Sequence, residues 1–140
     1  MERIVVGIDG SETSRAALQW ALDEARRRQA AVDVVHAWHH PFLIGYGYSA
    51  ELDLGTVEED ARQFLDDLVA GVDTTGVPAV EPVLMADSPA RALLDAAKGA
   101  SLLVVGSRGR GGFTGLLLGS VSQQVIHHAP CPVVVIPPVA

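Results

Sequence analysis

Short apolar segments of strand length alternate along the chain with longer segments in which apolar residues recur at helical spacing. The first short segment, Arg3–Ile8, is rich in β-branched residues and apolar at neighbouring positions, which is typical of a central strand in a parallel sheet. Similar features predict four further strands, at residues 31–38, 79–85, 101–105 and 133–136. Five strands are therefore expected.

Helical spacing follows each of the first four strands. After the first strand, Ser11 is a suitable N-cap residue for a helix with a regular apolar face. That face consists of Leu18, Ala21, Leu22 and Ala25. A second helix is predicted from Thr56 onward, and a third begins at Ser88 and Pro89, an N-cap followed by proline at the first helical position. A fourth helix is predicted over residues 119–128.

The alternation of strands and helices continues through the whole chain, without a segment long enough to be a linker. It predicts one α/β domain over residues 1–140, because strands separated by helices usually form a parallel sheet. Right-handed crossovers would place helices on both faces of that sheet. The expected fold is therefore a single, doubly wound domain with a five-stranded, mainly parallel sheet.

The charge of the chain argues against nucleic acid as a partner. Ten basic residues face 17 acidic ones, so the formal net charge is -7. Such a surface repels a phosphate backbone over most of its area. A small anion can still be held locally by a few N–H or basic groups.

Hydropathy and cysteine usage limit where the protein is expected. No apolar run approaches the roughly 20 residues of a membrane span, and the chain starts with strand-like sequence, so neither a signal peptide nor a membrane anchor is predicted. Cys131 is the only cysteine, which fits a reducing cytoplasm. Between Pro130 and Pro132 it is interpreted as a small apolar residue before a buried strand, with a reactive thiol as the alternative.

Candidate chemistry lies where strands end. In a doubly wound sheet, ligands bind at the carboxyl ends of the strands, and Asp9 and Gly106 both follow such ends. A glycine-rich loop begins at Gly106 and carries two arginines, Arg108 and Arg110, in an otherwise acidic chain. Because glycine has no side chain, the backbone N–H groups of such a loop can approach an anion closely, and arginine is well suited to bind phosphate.

The far end of the loop, Gly119-Ser120, opens the last helix. The unpaired N–H groups and positive dipole of a helix start attract phosphate. The sequence lacks the lysine of a GxxxxGK[ST] loop, so phosphoryl transfer driven by lysine is not supported. The alternative is that the glycines only shape a long turn and Ser120 caps the helix.

The spacing of these glycines is specific. Gly106, Gly109 and Gly119-Ser120 match the G-x2-G-x9-G-[ST] pattern of the ATP-binding branch of the universal stress protein family. Three further segments agree with that family in order, namely residues 5–11, His36-Ala37 and residues 129–135. The chain therefore resembles this family over nearly its whole length.

The resemblance implies a Rossmann-like fold, similar to that of the adenine nucleotide alpha hydrolases, with ATP as ligand and a divalent metal such as Mg²⁺ beside it. It places Gly7 and Asp9 near the nucleoside and Ala37 beside adenine. The long loop is expected to wrap the ribose and phosphates through Gly106, Ser107, Arg108, Gly109, Arg110, Gly111 and Gly112. The helix start is expected to meet the phosphates through Gly119, Ser120, Val121 and Ser122.

One position departs from the family pattern. Members commonly have glycine just after the third strand, where this chain has Ala86 between Met85 and Asp87. The added methyl group is small. It is expected to narrow the adenine side of the pocket and to leave the phosphate contacts unchanged.

The last strand suggests self-association. Val133–Ile136 is apolar on both faces and comes last in the chain, where an edge strand is common, and an apolar edge needs protection. The family resemblance implies a homodimer joined through this strand. A monomer whose edge is covered by residues 137–140 is the alternative.

No catalytic or metal-binding set is predicted. His127 and His128 have no partner at the spacing of a zinc helix, and no G-x-S-x-G elbow accompanies the serines. The leading interpretation is an ATP-binding stress-response protein in which the nucleotide controls what the homodimer contacts. A slow ATPase or adenylate-transferring enzyme at the same site and a nucleotide-free interaction module remain as alternatives.

Overall fold

A computed structural model of the chain describes residues 1–38, 54–108 and 118–138. Within these ranges, five strands alternate with four helices, as predicted. In chain order they are β1 Arg3–Ile8, α1 Glu12–Arg28, β2 Ala31–Trp38, α2 Leu54–Ala70, β3 Ala79–Ala86, α3 Pro89–Ala96, β4 Leu102–Gly106, α4 Ser120–His128 and β5 Val133–Ile136. None of these helices is both long enough and apolar enough to cross a membrane.

The five strands form one sheet in the order β3-β2-β1-β4-β5. Every neighbouring pair is parallel. The chain runs outward from β1 to β3, then returns to the other side of β1 and adds β4 and β5. The predicted doubly wound α/β fold is therefore confirmed, and the described sheet is parallel throughout.

Both faces of the sheet are covered, which explains why its strands are apolar at odd and even positions alike. One buried cluster joins the sheet to Leu18 of α1 and Leu65 of α2. The other joins it to Leu93 of α3 and Val125 of α4. Each such side chain stabilises the fold by about 1.5–3 kcal/mol when fully buried.

Helix starts follow the local sequence. Ser11 caps α1, because its hydroxyl oxygen accepts the N–H of Ser14 at 3.1 Å. Ser88 holds the predicted N-cap position of α3, with Pro89 next to it, but its hydroxyl makes no cap hydrogen bond to the described residues. The α3 start therefore depends more on the proline than on the serine.

Several element ends differ slightly from the prediction. Helix α2 begins at Leu54, before the predicted start, and β3 continues to Ala86. Strand β4 covers Leu102–Gly106, one residue later than predicted. Its last residue is held in the sheet by pairing with Ile136 of β5. That pairing is a tertiary contact, and local sequence patterns do not reveal it.

Candidate functional site

The sheet has a topological switch between β1 and β4, since the chain leaves these two neighbouring strands in opposite directions. Their paired register runs from Ile4 with Leu102 to Val6 with Val104. Both strands continue beyond that point, to Ile8 and Gly106. Their carboxyl ends thus part from each other, and such a crevice is where doubly wound proteins bind ligands.

The turn after β1 holds Asp9 in a fixed orientation. Its Oδ1 accepts the N–H of Ser11 at 2.9 Å and the hydroxyl of Ser11 at 2.6 Å. Gly10 lies between them at φ 87°, a conformation that glycine adopts without steric cost. The N–H of Asp9 donates to the hydroxyl oxygen of Ser14 at 3.3 Å. Asp9 is therefore both the predicted ligand residue and the centre of an Asx turn.

Two glycines let helices approach the site closely. A Cβ atom on Gly106 would lie 2.7 Å from Cγ2 of Thr13 in α1, and one on Gly7 would lie 2.8 Å from Cδ1 of Leu93 in α3. Real Cβ atoms essentially never come that close. Packing against Thr13 thus favours glycine at Gly106, and a Cβ atom on Gly7 would require the Leu93 side chain to move, while a role of Gly7 in ligand binding stays a prediction.

The two ends of the glycine-rich loop meet at Ser107. The Ser107 carbonyl accepts the N–H of Gly119 at 2.6 Å and the hydroxyl of Ser122 at 3.0 Å. The Ser107 N–H donates to Ile136 of β5 at 2.7 Å, which extends the β4–β5 ladder. The structure therefore brings together two segments that the sequence predicted to share one site.

The hydroxyl of Ser107 is buried without a hydrogen-bond partner among the described residues. The residue is 4% exposed. An unsatisfied buried hydroxyl costs about 1–3 kcal/mol of stability. Such a group is explained if it binds a ligand or water. It is also placed between β4 and the start of α4, where the phosphates were predicted.

The first turn of α4 supplies N–H groups without intrahelical acceptors. Gly119, the N-cap residue, is extended at φ -73° and ψ 167° and offers no side-chain acceptor. The first intrahelical bond is that of Gln123 N–H to Gly119. The N–H groups of Ser120, Val121 and Ser122 therefore point out of the helix start, with the positive end of its dipole.

The two serines of this turn differ in their surroundings. Ser120 is exposed, so its hydroxyl is available to a ligand. Ser122 is 2% exposed, and its hydroxyl donates to the carbonyls of both Ser107 and Gly119 at 3.0 Å. Because the single proton of Ser122 is already shared between two carbonyls, its side chain fixes the turn, and only its N–H is free for an anion.

The end of β2 gives the site an apolar side. Ala37 pairs with Met85 and packs in the α3 and α4 face of the sheet together with Val83. Ala86 is the next residue of β3, so its methyl group points to the opposite face. Ala37 and Ala86 therefore lie on different faces of the sheet, and the narrowing of the adenine side by Ala86 stays a prediction.

At the carboxyl ends of the strands, the described residues include few positive charges and no set of metal ligands. Arg108 follows Ser107 directly and is half-buried, whereas Gly109, Arg110, Gly111 and Gly112 lie outside the described residues. In the described ranges, no group of three or more His, Cys, Asp or Glu residues is arranged to hold a metal ion. Around Ser107 and the start of α4, the described part of the site thus consists of N–H groups, hydroxyls and Arg108, which are ligands for an anion.

The remaining candidates have structural roles. His36 Nδ1 lies 3.0 Å from the carbonyl of Ile8, and its ring lies 4.7 Å from that of Phe64. His127 and His128 are exposed in the last turn of α4, where positive charge favours the helix dipole. Burial raises the pKa of the Cys131 thiol, which keeps it protonated and poorly nucleophilic.

Comparison with known proteins identifies the family of this chain. A model of the universal stress protein family matches residues 1–137. The chain belongs to the universal stress protein family. The resemblance that rests on the glycine spacing and on the ends of β1, β2 and β5 is thus confirmed at the level of the family.

Individual members agree with this assignment. A universal stress protein of Mycobacterium tuberculosis is 43% identical over 134 residues, which are 94% of this chain and 44% of the relative. The chain therefore spans less than half the length of that relative. A solved universal stress protein in complex with cAMP is 25% identical, with a TM-score of 0.69 and 96% of each chain covered.

A second solved member is the universal stress protein from Archaeoglobus fulgidus in complex with dAMP. It is 25% identical to this chain, with a TM-score of 0.70, and the match covers 97% of this chain and 98% of the other. Both solved proteins therefore share the whole described fold. Each is in complex with an adenine nucleotide.

Sequence reasoning missed two residues that shape the site of this universal stress protein. Ser14 accepts the N–H of Asp9, and Thr13 fills the space above Gly106. Both lie in the first turn of α1 and are buried although polar. Polar residues on the inner face of an otherwise apolar helix, next to a strand end, were the available signal.

Proposed function

We propose that this chain binds ATP in the crevice between β1 and β4, and that the nucleotide regulates a stress-response role of the protein. The phosphates are held by the free N–H groups of Ser120, Val121 and Ser122, by the hydroxyl of Ser120 and by that of Ser107. Arg108 adds positive charge. Asp9 and Ala37 lie on the side of the nucleoside.

The observation that carries this proposal is the buried hydroxyl of Ser107 beside the start of α4, which has no hydrogen-bond partner among the described residues. Such a group is explained when it binds a ligand or an ordered water. The neighbouring donors are N–H groups at a helix start, so the missing partner is an anion. Family members solved with cAMP and dAMP support an adenine nucleotide as its source.

Magnesium fits this site through the nucleotide. The described residues hold no ready-made set of metal ligands, and Oδ1 of Asp9 is already bonded to Ser11. Mg²⁺ usually keeps several waters and binds through substrate phosphates. We therefore assign its coordination chiefly to ATP, where it offsets negative charge in a protein whose own net charge is -7.

The regulatory part of the proposal concerns a homodimer joined through β5, in the cytoplasm. β5 is an edge strand of the sheet and its four residues are only half-buried in the single chain. The β4–β5 ladder ends at Ser107. A ligand held by Ser107 is thus one strand away from the dimer edge.

Isothermal titration with Mg²⁺ and ATP tests the site, using Ser107→Ala. The variant should bind ATP about 10- to 100-fold more weakly, the value of a hydrogen bond to a charged group. Without ligand it should be at least as stable as the parent, because the methyl group removes an unsatisfied hydroxyl. Ser101→Ala, at the amino end of β4, is the matched control and should bind normally.

Three results would contradict the proposal. One is a parent protein that shows no heat of binding with ATP at any concentration of Mg²⁺, and another is equal binding of ATP by Ser107→Ala and the parent. Loss of both stability and binding in Ser107→Ala would also contradict it, because the hydroxyl would then stabilise the fold instead of the ligand.

A further inference from the structure

Asp87 lies at the carboxyl ends of the strands, on the same side of the sheet as the proposed nucleotide site. Its N–H donates to the carbonyl of Trp38 at 2.9 Å, which continues the β2–β3 ladder one step beyond Ala86. The backbone of Asp87 is therefore held directly against the end of β2. Its place is set by the sheet and does not depend on a free loop.

The side chain of Asp87 belongs to the face on which Ala37 lies. Val83 and Met85 of β3 pack in the cluster of α3 and α4, together with Ala37. Because successive residues of a strand alternate between faces and the ladder continues through Asp87, its carboxylate follows Val83 and Met85 to that face. The residue is half-buried there.

Two carboxylates thus flank an apolar position along this edge. Asp9 follows β1, Ala37 is the last residue but one of β2 and Asp87 follows β3, and these three strands are neighbours in the sheet. Strands lie about 4.8 Å apart, so β1 and β3 are separated by roughly 10 Å. Such a span fits the length of a flat purine ring that lies across Ala37.

We propose that Asp87 is a specificity-determining residue that recognises the exocyclic amino group of the base, an inference that rests on the proposed nucleotide function. An ionised carboxylate only accepts hydrogen bonds. It favours adenine, which carries an amino group at C6, over hypoxanthine, which carries a carbonyl oxygen there. A site built to bond one such group rejects the analogue that lacks it.

Asp87 also has contacts that do not involve a ligand. Its Oδ1 accepts the N–H of Ser88 at 2.8 Å, and the residue precedes the start of α3, where negative charge is favourable. The bond to Ser88 holds the carboxylate in one orientation. A purely structural role would change the stability of the fold and would leave the ratio of affinities for two bases unchanged.

Titration of the full chain with ATP and with ITP tests this inference, since the two nucleotides share ribose and phosphates. The parent should bind ATP about tenfold more tightly than ITP. Asp87→Asn, whose amide also donates, should reduce that preference to about threefold or less. Asp95→Asn removes the same charge from the exposed far end of α3 and should keep the parental ratio.

The outcomes separate this inference from the proposed function. If the parent binds ATP and ITP equally, or if Asp87→Asn keeps the full preference, the base is read elsewhere and Asp87 has no such role. If neither nucleotide binds the parent, the nucleotide site itself is refuted together with the inference. The comparison within the parent protein needs no variant, so equal affinities for ATP and ITP would overturn the inference even if Asp87→Asn does not fold.

Discussion

Gly106 shows how a single residue serves both the fold and the site. Its missing side chain leaves room for Thr13 of α1, whose Cγ2 would lie 2.7 Å from a Cβ atom, and the backbone carbon of Thr13 would lie 3.3 Å away. Thr13 is buried, so it has little freedom to move. Replacement of Gly106 therefore disturbs packing before it disturbs any ligand.

We predict that Gly106→Ala lowers the free energy of unfolding by about 1–3 kcal/mol, the usual cost of overpacking. The double variant Thr13→Ser, Gly106→Ala lacks the clashing methyl group and should recover part of that loss. Urea denaturation measures both. Gly71→Ala, near an exposed helix end, should change stability by less than about 0.5 kcal/mol, and equal losses in all three proteins would contradict this explanation.

At the residue scale, the sequence predicted where the site residues lie better than which hydrogen bonds they make. Asp9 follows the first strand as predicted, and Ser107 and Ser120 lie at the strand and helix ends where the glycine pattern placed them. The pattern did not show that the Ser122 hydroxyl bonds within the turn or that the Ser107 hydroxyl is left without a partner. Both facts depend on how β4 meets α4, which is a contact between segments distant in sequence.

Among the elements, β5 is the edge strand that pairs with β4 on one side only. The carbonyls of Pro132 and Ile136 accept N–H groups of β4, so these residues direct their backbone groups inward. By the alternation of a strand, Val133 and Val135 direct theirs to the open edge. Such unpaired groups on an apolar strand form a template for a second chain.

Val135→Pro should therefore abolish the homodimer and preserve the fold. Proline removes an N–H that faces the edge, and it leaves the β4–β5 ladder intact. Sedimentation velocity measures the change. Val135→Ala is the control, because it trims the side chain and keeps the N–H, and it should stay dimeric. A parent that sediments as a monomer, or a proline variant that still dimerises, would refute pairing through β5.

Element type and order could be predicted because each strand and helix carries its own local pattern. The β-branched runs of β1 and β4 and the apolar stripe of α1 are examples. Element ends were less predictable, since β4 extends to Gly106 only because β5 pairs with it there. The start of α2 likewise lies before the first clear signal in its sequence.

For the whole molecule, the proposed site has to attract an anion to an acidic protein. The net charge of -7 opposes ATP at long range. The local donors must outweigh that repulsion. Backbone N–H groups do so best when they are already fixed in place, here by the helix and by the hydrogen bonds of Gly119 and Ser122 to the Ser107 carbonyl. Salt should therefore affect binding less than it would at a site made of surface lysines.

The length of the relatives also concerns the whole molecule. This chain matches 44% of the Mycobacterium tuberculosis protein. More than half of that longer protein therefore has no counterpart in the match to this chain.

Backbone amide NMR shifts during titration with Mg²⁺ and ATP test the central claim most directly, because the claim concerns individual N–H groups. The largest shift changes should be those of the Ser120, Val121 and Ser122 amides, and the Ser107 amide should also shift. The amides of Ala31 and Ser101, at the amino ends of β2 and β4, should stay unchanged. The account would be contradicted if saturating ATP left the amide shifts of α4 unchanged, or if it changed the shifts only of residues at the amino ends of the strands.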